Sequence, residues 1–266
     1  MADSFTAPRI GLGLFKVPPE QTTWLVEEAL DVGYRHFDCA SVYGNEAELG
    51  LALSASGLTR SEFTVTSKAN IDELGAAPIR AALQRSLERL GLDVLDLYMV
   101  HWPAPALDLY VESFQEMLVL QQEGLIRNVA VSNFNIDYLE RLRMEVGTLP
   151  VMNQVERHPY LQQRELFDYH REHGIASQAW APLARAEILD DAELATLSAE
   201  EGCSVPQLVL AWQMKGNVSV IPKASNRARL EENFAAQNET VSDYVAQRLE
   251  QLDRNHRTGP NPSDKN

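Results

Sequence analysis

Eight short runs rich in β-branched and aromatic residues alternate along the chain with stretches of helical period, and no other feature constrains the fold as much. The runs are Ile10–Phe15, Arg35–Asp38, Phe63–Lys68, Leu95–His101, Asn128–Ser132, Met152–Val155, Ala176–Trp180 and Val218–Pro222. Between them, Leu25, Ala29 and Val32 lie on one helical stripe closed by Gly33, and Ile79, Leu83, Leu87 and Leu90 on another closed by Gly91. Eight such units predict a TIM-type (β/α)8 barrel, a single domain over residues 1–266, and the chain length fits the ~250 residues typical of that fold. A doubly wound sheet is the rival. Gly11-Leu12-Gly13 opens like a dinucleotide fingerprint, but Lys16 stands where the third glycine belongs and Pro18-Pro19 interrupts the helix that should follow. A last helix is expected over Asp243–Leu252 with Ser242 as its N-cap. Residues 254–266 read as a polar tail, on the surface or frayed, carrying Gly259, Pro260 and Pro262.

A formal charge of −15 and a pI near 4.8 exclude a nucleic-acid binder, which needs a basic face. The same acidity would suit a salt-rich cytoplasm. No apolar run approaches the ~20 residues of a membrane span, and Met1–Arg9 lacks the basic-then-apolar pattern of a secretion signal. Cys39 and Cys203 are too few for a disulfide framework, so the cytoplasm is the expected compartment. Cys39 reads as small core filling, and His158, His170, His173 and His256 as loop or surface histidines.

The chemistry sits where strands stop. Asp38, Lys68 and His101 each end one of the runs, and Tyr43 follows Asp38 on the next loop. In a parallel barrel, such positions converge on one mouth. A free phenol, with pKa near ~10, is a poor acid–base group at neutral pH. An ammonium ~4 Å away contributes up to ~4 kcal/mol at an effective dielectric near 20, which is about three pK units before desolvation opposes it. Lys68 is the ammonium, and Asp38 is the carboxylate that keeps it charged on burial. His101 offers an N–H to a carbonyl oxygen. The set suits protonation of an alkoxide formed from a carbonyl.

At these residues the chain resembles the aldo-keto reductase family. Gly33-Tyr34-Arg35-His36-Phe37-Asp38-Cys39-Ala40 with Tyr43, Glu46 and Leu49-Gly50 is similar to the family's first signature. Val100-His101-Trp102-Pro103, Val131-Ser132-Asn133-Phe134, Asn153-Gln154-Val155-Glu156, Trp180-Ala181-Pro182-Leu183 and Ile221-Pro222-Lys223 continue it in order, over about Ile10 to Leu252. The resemblance implies reversible, NAD(P)H-dependent reduction of small carbonyl compounds by a monomer. It makes Tyr43 the general acid, Lys68 and Asp38 its tuners, and His101 the group that orients the carbonyl. Ser132, Asn133 and Gln154 would hold the nicotinamide amide and Trp180 would stack on the ring. Leu183, Lys223, Ser225, Asn226, Arg229 and Asn233 would take the rest of the cofactor. Arg229 and Lys223 sit where the family grips a 2′-phosphate, which favours NADPH over NADH. Phe15, Trp102, Tyr160 and Asn70 would line the substrate pocket.

Three positions depart from the family pattern: Ala224 for a usual Ser or Thr, Ala130 for a common Gly, and Asn70 for a frequent Trp. Short loops bring the chain nearest to compact bacterial members such as 2,5-diketo-gluconate and methylglyoxal reductases, and imply an open pocket for small aldehydes, ketones or dicarbonyls.

Taken singly, Tyr43 is a loop tyrosine, Lys68 half of a barrel-end ion pair, Trp102 core packing and Arg229 a solvated helix arginine. Their joint placement carries the reading. Two alternatives stay open. His36 and Asp38 alternate on one strand face, as in metal-dependent barrel hydrolases, although no later strand end offers a histidine apart from His158 and a metal site needs three or four donors. A cofactor-sensing subunit with little turnover is the other, and would call for an N-terminal extension or partner-binding insert.

Overall fold

The computed structural model describes residues 5–266, so the reading of Met1–Arg9 lies partly outside the described residues. Eight parallel strands run in sequence order: β1 Leu12–Gly13, β2 His36–Asp38, β3 Thr64–Ala69, β4 Leu95–Val100, β5 Ile126–Ser132, β6 Met152–Glu156, β7 Ala176–Trp180 and β8 Val218–Val220. The last strand returns to the first. Ile10 bridges Val220, Gly11 N donates to the Val220 carbonyl (2.9 Å) and Gly13 N to that of Pro222 (3.2 Å). The chain is therefore a (β/α)8 barrel, with strand edges closed on one another.

The helices follow the strands. They are α1 Pro19–Val32, α2 Glu46–Ala55, α3 Ala76–Leu90, α4 Tyr110–Gln122, α5 Ile136–Glu145, α6 Arg164–His173, α7 Ala192–Glu201, α8 Val205–Lys215, α9 Arg227–Ala235 and α10 Asp243–Glu250. Leu25 and Ala29 of α1, and Ile79, Leu83, Leu87 and Leu90 of α3, are buried, as their spacing requires. Gly33 ends α1 at φ 119°, a conformation that a side chain would strain, and its amide closes the helix on Ala29 and Leu30. Ser242 caps α10 by accepting from Val245 N (3.2 Å). No helix among the described residues is long and apolar enough to cross a membrane.

Register decides what faces the barrel axis. Lys68 pairs with Met99, Met99 with Ala130, Ser132 with Gln154, Gln154 with Gln178 and Gln178 with Ser219. Leu97, Met99, Ala130 and Met152 form an apolar cluster that Phe5 and Ala7 pack against. Above it the interior is polar. Asp38, Thr66 and Lys68 lie on β2 and β3, and Gln154, Gln178 and Ser219 on β6, β7 and β8, all buried. Burying that many polar groups is tolerable only if they bond one another.

The tail is not frayed. Thr258 donates to Glu156 Oε1 through both its amide and its hydroxyl (2.6 Å each), and Gly259 N donates to Glu156 Oε2 (3.2 Å). Ser263 receives Asn135 Nδ2 (3.2 Å), and Asn266 Oδ1 receives Ala106 N (2.8 Å). A buried carboxylate gathers these donors because it must be compensated, and nothing local in residues 254–266 reveals it.

Candidate active site

Lys68 enters the mouth from β3 with no solvent exposure and donates to Asp38 Oδ1 (2.5 Å) and to the Cys39 carbonyl (2.8 Å). The second Asp38 oxygen takes Gln154 Nε2 (2.7 Å). Burial pulls the Lys68 ammonium down, Asp38 raises it by charge and by hydrogen bonding, and the outcome is a lysine held above its ordinary value. It stays a cation.

Tyr43 arrives from the turn Ser41–Tyr43, with its hydroxyl 3.5 Å from His101 Nε2 and its ring 5.2 Å from Lys68 Nζ. Burial pushes the phenol up to about 12, the adjacent ammonium pulls it down, and Asp38 adds to the rise. Of the two opposed effects, desolvation of the oxyanion prevails over the pull of the cation, part of whose field Asp38 cancels. The consequence is a protonated phenol at neutral pH, beside a charge that steadies the oxyanion once the proton leaves.

Burial first, then Lys68 and Lys265, hold His101 well below its ordinary value, so the ring is neutral. Its Nδ1 is buried with no partner among the described residues. An orphaned N–H costs more than an orphaned lone pair, so the proton belongs on Nε2, facing the Tyr43 hydroxyl. The tetrad of Asp38, Tyr43, Lys68 and His101 is brought together as the strand ends required.

Ser132 and Asn133 end β5. Ser132 donates to the Gln154 carbonyl (2.9 Å). Asn133, at φ 65°, donates from Nδ2 to the His101 carbonyl and to Ser132 Oγ (3.0 Å each). Asn133 Oδ1 accepts Trp180 Nε1 (2.8 Å). The donors of Asn133 are consequently spent inside the protein, and what it and Gln154 can still offer are acceptor oxygens. Trp180 is half-buried, 6.4 Å from Trp102 and backed by Gly259, where an added Cβ would fall on the indole. Phe15 lies 5.2 Å from Tyr43, and Trp102 6.3 Å from His101, so both join the aromatic rim.

Two expected pocket residues stand apart. Asn70 turns its amide to Asp72 (2.7 Å), beginning the turn at Ile71. Tyr160 is buried in a separate cluster of α7, α8 and α10, with its hydroxyl on Asp191 (2.6 Å). The histidine readings also split. His158 and His170 are buried, not superficial: His158 bonds Glu156 (3.1 Å), while His170 bonds Asn153 (3.0 Å) and Ser177 (2.9 Å). Cys39 is buried against the Thr66 carbonyl and burial pushes its thiol up, as core filling should be.

After β8, Leu183 and Asn233 are half-buried and buried respectively, whereas Lys223, Ser225, Asn226 and Arg229 are exposed. Asn226 caps α9 by accepting Arg229 N (3.0 Å), and Lys223 reaches the Lys16 carbonyl (2.6 Å). Arg227 is consumed by Glu28, Asp31 and Glu231. Among the described residues Arg229 makes no ion pair, and its side chain hydrogen-bonds Ser225 Oγ (3.4 Å). In so acidic a chain, an unneutralised guanidinium at a helix N-terminus invites an anion. A surface concavity of about 1040 Å³ lies elsewhere, against Asn135, Arg164, Glu250 and Arg257. Size alone does not locate the chemistry here. The buried ion pair and the orphaned His101 nitrogen do.

A parallel barrel with a Tyr–His–Lys–Asp cluster at its C-terminal mouth defines a class of proton-donating barrel enzymes. Residues 9–254 match the Aldo/keto reductase family, and the chain belongs to it. It is 38% identical to methylglyoxal reductase DkgA of Salmonella typhimurium, over 98% of this chain and 95% of that protein. An aldo-keto reductase of Mycobacterium sp. strain KMS is 39% identical over 98% and 94%. Among solved structures, an aldo/keto reductase from Brucella melitensis superposes with a TM-score of 0.91 at 37% identity, covering 95% of this chain and 97% of its own. A variant of Gox0644 in complex with NADPH superposes with a TM-score of 0.94 at 35% identity, covering 98% and 96%.

Proposed function

We propose that the chain reduces small aldehydes, ketones or dicarbonyls to alcohols with NADPH, and that Tyr43 supplies the proton. The observation that carries this reading is the buried Lys68–Asp38 pair beside a phenol that faces a neutral histidine. His101 Nε2–H and the Tyr43 hydroxyl converge on one point, where both can donate to a carbonyl oxygen. As negative charge grows there, Tyr43 passes its proton to that oxygen, and the Lys68 ammonium steadies the phenolate left behind. Asp38 keeps Lys68 charged and fixed.

The residues present fit a dinucleotide. NADPH, when bound, supplies the hydride. Acceptor oxygens on Gln154 and Asn133, with Ser132, match the N–H groups of a nicotinamide carboxamide, and Trp180 offers the ring face. Leu183 and Asn233 flank the path to the far end, where Arg229, Ser225, Asn226 and Lys223 present charge and N–H groups for a 2′-phosphate. Phe15 and Trp102 form the pocket rim. We read residues 1–266 as one catalytic domain, tail included, working as a cytoplasmic monomer, and as a reductase of the kind DkgA is named for.

Tyr43→Phe is the decisive variant. General acid catalysis contributes about 10²–10⁴-fold, so turnover on methylglyoxal should fall by about that factor while the NADPH dissociation constant stays within about twofold. Unchanged turnover, followed by NADPH absorbance, would remove Tyr43 from its role. A bound cofactor with no turnover on a carbonyl panel would favour the sensing subunit.

A further inference from the structure

A hydrogen-bonded thread runs from Asp38 down through the barrel. Gln154 Nε2 donates both its hydrogens, one to Asp38 Oδ2 and one to Gln178 Oε1 (2.7 Å each). Gln178 Nε2 donates to Ser219 Oγ (2.9 Å), and the Ser219 hydroxyl donates to the Pro8 carbonyl (2.5 Å). The three residues are lateral neighbours on β6, β7 and β8, and exposure is 2% for Gln154, 0% for Gln178 and 3% for Ser219.

Chemistry fixes the direction of this thread. An ionised carboxylate at one end and a peptide carbonyl at the other can only accept, so each glutamine has one permitted amide orientation. With both N–H bonds of Gln154 spent, its Oε1 has no donor among the described residues and keeps solvent access, unlike the buried unpaired atoms of the site.

We propose that Gln178 is a positioning residue for the cofactor. By accepting the second amide hydrogen of Gln154, it locks that carboxamide with nitrogen on Asp38 and oxygen presented to the N–H of a nicotinamide carboxamide. Bonded to Asp38 alone, Gln154 could pivot about a single contact. Bonded to both, it is fixed in plane, and the ordering cost is met in folding and not in binding. Only a long side chain at position 178 spans from Ser219 to Gln154. This inference rests on the reading that Gln154 meets the nicotinamide.

The test compares NADPH with its 3-acetylpyridine analogue, in which a methyl ketone replaces the carboxamide and no N–H remains. Binding is followed by quenching of protein fluorescence, with no turnover required. Gln178→Met and Gln154→Met should each weaken NADPH by about five- to tenfold, the worth of one hydrogen bond, and leave the analogue within about twofold. Gln178→Glu, which retains an acceptor, should keep the wild-type preference. If Gln178→Met weakens both ligands equally while Gln154→Met discriminates, the positioning role is overturned. If Gln154→Met itself fails to discriminate, the underlying placement of Gln154 is what fails. Should Gln178→Met not fold, Gln178→Ser, too short to reach Gln154, takes its place with the same expectation.

Discussion

The two ends of the barrel mouth are built on opposite principles. At one, Asp38 and Lys68 are 2% and 0% exposed and every polar atom of the pair is bonded. At the other, Arg229 and Ser225 stand in water with one long contact between them. The difference follows from the task. A charge meant to steady a phenolate must act at low dielectric and hold still, because the same pair in water contributes only about 1 kcal/mol. A charge meant to catch a phosphate must be free beforehand, so that the ligand supplies its partner.

Lys68→Met strains that contrast hardest. It strands the Asp38 carboxylate with one donor, and should cost about 3–5 kcal/mol of stability by urea denaturation, together with most of the turnover. Retained stability would mean the pair is not the buried anchor described. Arg229→Ala should do the reverse. Stability should move by no more than about 0.5 kcal/mol, while NADPH affinity falls about 10–100-fold and NADH affinity holds. Equal losses for both cofactors would abolish the 2′-phosphate assignment, and with it the distinction between the ends.

Acid should destabilise the whole fold through its buried histidines. Burial, offset by Asp38 and reinforced by Lys68, holds His36 down to about 4. Burial holds His170 down to about 3, and His101 lies well below its ordinary value. Each titrates near ~6.5 once unfolded. Lowered folded values mean that the unfolded chain binds more protons, so stability is full above pH ~6.5 and falls as pH drops below it. The slope should reach about 1.4 kcal/mol per pH unit for each histidine. Urea midpoints at pH 7 and pH 5 measure this, and His170→Asn should flatten the slope by about one third. An unchanged slope would mean that His170 is not the neutral buried group its bonds to Asn153 and Ser177 require.

All eight strands lie where their β-rich runs lie, with β1 and β8 shorter than those runs. The tetrad was equally legible, since strand ends in a barrel have one place to go. The tail was not. Gly259 and its prolines look like loop residues until Glu156, a hundred positions earlier, supplies the carboxylate that holds them. His170 is buried for a related reason, since its partners Asn153 and Ser177 lie on β6 and β7, whereas His158 is buried beside Glu156, two residues before it.

The amino-acid order alone therefore determined the barrel and the four groups at the mouth. These depend on local period and on strand polarity, which neighbours in sequence set. Tertiary structure decided the balance of forces: that burial beats Lys68 and lifts the Tyr43 phenol to about 12, that Asn133 spends its donors internally, and that Gln154 hangs between Asp38 and Gln178. Desolvation and long-range hydrogen bonding depend on which atoms surround a group in space, and no spacing along a chain encodes that.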